Sequence, residues 1–369
     1  MGQNTHKAVI AVLAETLPGE RRVALVPADI GKLAQYDIVV EAGAGLNAGF
    51  VDEDYSAAGG KILARAEAIA AADLVLAVRA PDFAGFAPGK VVISLGGRDA
   101  AVADAAAKAQ ILHLGMERLP RITRAQSMDV LSSQASIAGY SAVLEGARHL
   151  DTLLPMMTTA AGIVRPAKMI ALGAGVAGLQ ALATARRLGA VTYGFDVREA
   201  AREQVESLGA EFVFPDVPDA KAEGTGGYAA AQSDDQQFRL RRALTEALSR
   251  TNLIITSAQI PGRVAPILID EETIAAMLPG TVIIDMAAET GGNVTITKPD
   301  QIVRHGRVTV IGPTNLPSAA PTDSSRLYSG NMRTLLTHLC KAGPLNLQAG
   351  DEILDALAGD QALPARAAA

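Results

Sequence analysis

One short segment limits the folds open to this chain more than any other. Gly173-Ala174-Gly175-Val176-Ala177-Gly178 directly follows the apolar run Lys168–Leu172 and leads into a helical stretch, Leu179–Leu188. The glycine spacing is weak evidence taken alone. Between a strand and a helix each position acquires a reason: the first Gly permits a tight turn, the second lets backbone approach a pyrophosphate, and the third lets helix pack on strand, while the helix N-terminus favours an anion. The next apolar run, Val191–Phe195, ends in Asp196, where a carboxylate would take adenosine ribose hydroxyls. That charge would repel a 2′-phosphate, so NAD(H) is expected over NADP(H), although Arg198 two residues on tempers the preference. The expected nucleotide contacts here are Gly173 to Gly178, Asp196, Val197 and Arg198, with an incidental Gly-rich turn as the alternative.

The fingerprint sits in a longer alternation. Short Val/Ile-rich runs at Ala8–Ala14, Ile38–Glu41, Leu74–Val78, Val91–Ser94 and Ile111–Gly115 read as parallel strands buried on both faces. Helical candidates at Pro27–Gln35, Ala64–Ala72 and Ala100–Lys108 separate them. A second series has strands at Met169–Leu172, Val191–Phe195, Phe212–Phe214, Leu253–Thr256, Val282–Asp285 and Val308–Ile311, with helices at Ala177–Leu188, Glu199–Ser207, Gln236–Arg250 and Glu271–Met277. A chain of 369 residues, 49% of them hydrophobic, can build two such cores without disulfide or metal. The expectation is an α/β protein of two Rossmann-like domains with mostly parallel sheets, joined by long helices and with a cleft between them: residues 1–133 plus about 325–369, and residues 134–324. Gln134–His149 reads as a connecting helix, and Leu327–Lys341 as a helix that returns to the first domain. Residues 362–369 read as a linker start or a plain tail.

Composition removes several function classes. The formal net charge is -6 and no stretch gathers basic residues, which argues against nucleic acid as a partner. The one cysteine, Cys340, can form neither an internal disulfide nor a thiolate metal site, as suits a reducing cytoplasm. No run approaches about 20 apolar residues, so no membrane span is expected. No metal is expected.

Strand ends in the second series carry small and polar groups where ligands of open α/β sheets bind. Thr256 to Gly262 and Asp285 to Asn293 could line a nicotinamide pocket, with Ser257, Ala258 and Glu289 as contacts; ordinary turns are the alternative. Pro215–Asp234 is far longer than a usual strand–helix connection and is either a functional flap or disordered. Arg121 to Gln134 is, on its own terms, a polar stretch leading into a helix.

Together these residues resemble a known family. Pro18-Gly19-Glu20-Arg21-Arg22-Val23-Ala24-Leu25-Val26-Pro27, Gly43-Ala44-Gly45-Leu46, the fingerprint, and Asp285–Asn293 look like the NAD(H)-binding domain I of proton-translocating NAD(P) transhydrogenase, itself related to alanine dehydrogenase. Arg121-Ile122-Thr123-Arg124-Ala125-Gln126-Ser127-Met128-Asp129-Val130-Leu131-Ser132 is similar to the loop by which transhydrogenases hold the nicotinamide end. The resemblance implies that Arg121, Asp129 and Ser132 orient the nicotinamide ribose and that Gln126 reaches toward a second nucleotide. Gly224-Thr225-Gly226-Gly227-Tyr228 resembles the mobile loop whose Tyr closes over bound nucleotide. Arg22 matches the family's substrate arginine, but the segments that would hold the dehydrogenase's lysine and His read Ala77-Val78-Arg79-Ala80-Pro81 and Ser94-Leu95-Gly96-Gly97-Arg98. An amino-acid reaction would lack its base.

The resemblance implies direct hydride transfer from NADH to NADP+ held by a domain III on a partner chain, coupled to proton movement by a membrane domain II on another. It implies a homodimer, cytoplasmic and peripheral on the inner membrane. Such transfer needs no acid, base or metal, only two nicotinamides held at roughly 3–3.5 Å with water excluded. Arg121, Gln126, Asp129 and Ser132 are then catalytic as positioning groups. The rivals are an alanine dehydrogenase-like enzyme and a non-catalytic NAD-binding module.

Overall fold

The computed structural model describes residues 7–213, 244–260, 263–340, 345 and 347–363. Two compact units share the chain: one runs to Gln134 and resumes at Pro317, and the other runs from Ala135 to Leu316.

The first unit is built on six parallel strands: β1 (Val9–Val12), β2 (Asp37–Glu41), β3 (Lys61–Leu63), β4 (Leu74–Arg79), β5 (Val91–Leu95) and β6 (Leu112–Gly115), in the order β3-β2-β1-β4-β5-β6. The two-residue period divides each strand between two cores. Ile10, Val12, Leu74, Leu76 and Val78 face one; Ala11, Leu13 and Val75 face the other, with Ala68, Ile69 and Ala106 of the helices Arg65–Ala71 and Ala100–Lys108.

The helix Pro321–Leu339 closes the first core with Tyr328, Met332, Leu335, Leu336 and Leu339, spaced three and four apart. It starts six residues before the expected Leu327, because Pro is tolerated in a first helical turn. Its serines answer a backbone problem. The buried loop after Glu20 has no strand to pair with, and Val23 and Val26 donate their N–H groups to Ser325 and Ser329 Oγ at 3.0 Å each.

β5 and β6 enclose one polar pair, Ser94 Oγ 2.8 Å from His113 Nε2, at 0% and 1% exposure. Burial pushes the imidazole down to about 4 against the opposing pull of Glu117, so the ring is neutral. Sealed from solvent, this Ser–His pair is a packing element. A depressed histidine contributes stability that is fully present above its ordinary value of 6.5 and is lost as pH falls through about 4. Denaturant titrations across that window should show the wild-type chain losing about 3 kcal/mol that His113→Gln does not lose.

The second unit opens with a two-stranded hairpin, β7 (Met157–Thr159) and β8 (Gly162–Val164), which stands exposed along its whole length. Seven further strands, β9 (Lys168–Leu172), β10 (Val191–Phe195), β11 (Glu211–Phe212), β12 (Leu253–Thr256), β13 (Val282–Asp285), β14 (Ile302–His305) and β15 (Val308–Ile311), form one sheet, β11-β10-β9-β12-β13-β15-β14. It is parallel except for β14 against β15. Its strand order about β9 reverses between β10 and β12, which makes the ends of β9, β10 and β12 a topological switch point.

Candidate nucleotide-binding site

The turn after β9 is shaped by its glycines. Gly173 has φ +103°, a conformation that L side chains rarely adopt, and it donates its N–H to Phe195 O at 2.8 Å. A Cβ on Gly178 would stand 1.8 Å from Gly173 O, so the third glycine lets the helix Val176–Arg187 lie against the turn. Gly175 differs from both. A Cβ there would meet nothing within 4 Å, φ is an ordinary -79°, and the helix it precedes has no side-chain cap. The first N–H groups of that helix border open space, with Gly175 and Val176 exposed and Ala174 and Gly178 buried. Ala177, between them, is half-buried.

Asp196 follows β10 and is 5% exposed. Its Oδ2 accepts from Ala174 N–H and Arg198 Nη2 at 2.8 Å each, and its Oδ1 accepts from the Arg198 N–H and Nε at 2.9 Å each. The carboxylate therefore bridges the two turns that flank the switch point. Val197 sits between the pair, half-buried and packed against the core around Phe195.

Behind β12, Ser257 donates its Oγ–H to Gly173 O at 3.2 Å, tying that strand end to the glycine turn. Ala258 is held by Asn293, which accepts its N–H at 3.2 Å and donates to its carbonyl at 2.8 Å. Glu289 lies exposed in the 3-10 turn Ala288–Thr290 after β13. Asp285 requires a correction: it lines no pocket. Its carboxylate is fully buried and accepts from Thr256 Oγ1, Thr297 Oγ1 and the N–H groups of Ala287, Asn293 and Val294, so it fastens the loop. Tyr228 lies outside the described residues.

The other expected residues belong to the first unit. Thr123–Met128 forms a 3-10 turn, pinned by Ala125 and Met128 at 1% and 3% exposure, and it presents Arg121 and Gln126 to solvent. Asp129 then accepts from Ser132 N–H at 3.0 Å and Ser132 Oγ at 2.6 Å. That reciprocal pairing starts the helix Val130–His149 four residues before the expected Gln134. Asn331 secures the base of the turn by donating to Ser127 O and accepting from Ser133 Oγ.

The first unit's own switch point, between β1 and β4, is filled by the chain. Glu15 accepts from Val78 N–H at 2.6 Å and Arg79 N–H at 3.1 Å. Burial pushes its carboxyl up to about 7 despite those two donors. Nearby, Arg22 is 2% exposed and forks onto Glu20 at 2.8 and 2.6 Å while donating to Gln134 at 2.8 Å. Burial alone would raise Glu20, but the Arg22 pairing outweighs it and holds the carboxyl down at about 2. Arg79 adds an ion pair to Glu20 at 3.5 Å. Sequence reasoning finds Arg22 but not the Glu20 that occupies it.

No group of three or more His, Cys, Asp or Glu suited to a metal occurs among the described residues. No helix among them is long and apolar enough to cross a membrane.

Comparison with known proteins gives a consistent picture. Residues 11–138 match the family described as alanine dehydrogenase/PNT, N-terminal domain, and residues 142–359 its C-terminal domain. An NAD(P) transhydrogenase subunit alpha chain of Rickettsia prowazekii is 43% identical over 358 residues, covering 94% of this chain and 92% of the relative. The solved transhydrogenase of Sinorhizobium meliloti superposes with a TM-score of 0.84 at 40% identity, covering 94% of this chain and 97% of that one. An alanine dehydrogenase of Methanococcus maripaludis is 27% identical, covering 82% of this chain and 77% of the relative.

Proposed function

The chain belongs to the alanine dehydrogenase/PNT family, and from that premise we propose that it is the NAD(H)-binding component of a proton-translocating NAD(P) transhydrogenase. The observation that carries this reading is the open cradle at Gly175, the one glycine of the fingerprint whose missing side chain leaves room rather than relieving a clash. Gly175 and the uncapped start of the helix Val176–Arg187 would hold the pyrophosphate, and Asp196 the adenosine ribose. Ser257, Ala258 and Glu289 lie at the neighbouring strand ends. Arg121, Gln126, Asp129 and Ser132 would position the nicotinamide end. NAD(H) supplies the hydride, which passes directly to NADP+ on a partner chain.

Partner chains would also provide the membrane domain and proton path, placing this component on the cytoplasmic face of the inner membrane. Nothing in hydride transfer between nicotinamides calls for an acid or base. An amino-acid dehydrogenase, by contrast, would need Arg22 for the substrate carboxylate, and a substrate would have to displace both Glu20 and Gln134 from that buried guanidinium.

The test is reconstitution with the NADP-binding domain of a transhydrogenase, following reduction of an NADP analogue by NADH. Transfer is expected. NAD-dependent oxidation of L-alanine by the purified chain would defeat the reading, and tight NADH binding without transfer would favour a non-catalytic module.

The hairpin supports a homodimer. A two-stranded sheet is marginal alone in water, yet Met156, Met157, Ile163 and Val164 are 64%, 44%, 70% and 41% exposed on and beside it. A second copy of the chain would cover these side chains. Ile163→Glu should shift sedimentation from dimer to monomer without changing NADH affinity; a dimer of unchanged strength would remove the hairpin from the interface.

A further inference from the structure

We infer that Arg198 sets how sharply the site separates an unmodified adenosine ribose from a 2′-phosphorylated one, by serving as a resident counter-ion on Asp196. The inference rests on the dinucleotide reading of Gly173–Gly178 and Asp196. A carboxylate offers about four acceptor positions. Asp196 has all of them occupied, by Ala174 N–H, Arg198 N–H, and the Nε and Nη2 of the Arg198 guanidinium.

The two backbone donors belong to the turns after β9 and β10 and cannot leave without unmaking them. Only the guanidinium fork can. A ribose diol donating to Asp196 therefore takes the place of the fork, and the displaced guanidinium, two residues from the carboxylate, remains tethered at the same pocket. There it faces the 2′ position.

Charge then acts in both directions. Asp196 opposes a 2′-phosphate by repulsion, while a guanidinium beside it offers that phosphate a bidentate partner. With the carboxylate 6% and the arginine side chain 20% exposed, bulk salt screens neither strongly. The carboxylate selects for the bare ribose, and Arg198 softens the selection. A Rossmann carboxylate read without its arginine overstates the discrimination.

The experiment follows displacement of NADH fluorescence from the full chain by 5′-AMP and by adenosine 2′,5′-bisphosphate, taking the ratio of the two dissociation constants. Arg198→Ala should raise the ratio of bisphosphate to AMP about tenfold, with AMP changed no more than about threefold. Arg198→Gln, which keeps a donor for Asp196 but no charge, should give the same rise and guards against loss of the fold in the alanine variant. Arg198→Lys should stay near wild type. An unchanged ratio in the Ala and Gln variants, or a rise in Lys equal to that in Ala, overturns the inference and leaves the dinucleotide site standing. Failure of the wild-type chain to bind NADH overturns both.

Discussion

Gly175→Ala is expected to leave the second unit folded and to weaken NADH binding about a hundredfold, whereas Gly178→Ala is expected to cost the unit more than about 3 kcal/mol of stability. The two glycines sit three residues apart in one motif, and their surroundings are opposite. Around Gly178 a Cβ would fall 1.8 Å from Gly173 O, a backbone atom that cannot yield without undoing the turn after β9. Around Gly175 a Cβ meets nothing within 4 Å, and the backbone already has a φ that alanine adopts without strain. Its absence is thus unexplained by packing and is explained by a ligand that must come close. Thermal denaturation and NADH fluorescence titration on the two variants separate the cases. A Gly175→Ala chain that binds NADH as tightly as wild type would reduce the fingerprint to a turn motif.

What the sequence discloses divides along a physical line. Strands buried on both faces, such as Leu253–Thr256 and Val282–Asp285, announce themselves as unbroken apolar runs and are legible to the residue. Strands at sheet edges are not. β3 is three residues with an exposed Lys61, and β14 alternates exposed and half-buried positions, so neither carries the apolar run on which recognition depends. The helices Asp52–Ala57 and Glu352–Ala358 are one to two turns long, too short for a helical period to show, although the second buries Ile353, Leu354 and Leu357.

The site divides in the same way. Glycine positions and the carboxylate after β10 are local to the motif and can be read directly. Which polar groups are already paired depends on three-dimensional distance. Asp196 looks equally available in the sequence whether or not Arg198 forks onto it, and Arg22 looks like a substrate clamp until Glu20 is seen at 2.6 Å. Asp285 reads as part of a ligand pocket because it ends a strand, and only its five donors reveal a fastening for the loop that carries Asn293.

Shortening Gln126 by one carbon is expected to slow hydride transfer about ten- to a hundredfold while changing NADH affinity by less than about threefold. The turn that carries Gln126 is built to resist movement. Ala125 and Met128 are sunk in the first unit's core, Ile122 packs beside them, and Asn331 ties Ser127 to Ser133 from behind. Asp129 and Ser132 fix the exit of the turn by pairing with each other. Gln126 itself is exposed, so nothing in the fold requires its length. A reach set on a rigid base is what alignment of two nucleotides needs, and alignment loses rate steeply with sub-ångström error. Gln126→Asn keeps the amide and the turn and removes only the reach. Stopped-flow transfer to an NADP analogue, set beside equilibrium NADH titration of the same variant, reads the two effects apart. Losses of equal size would make Gln126 a binding residue for NADH, and no loss in either would return the turn to solvent.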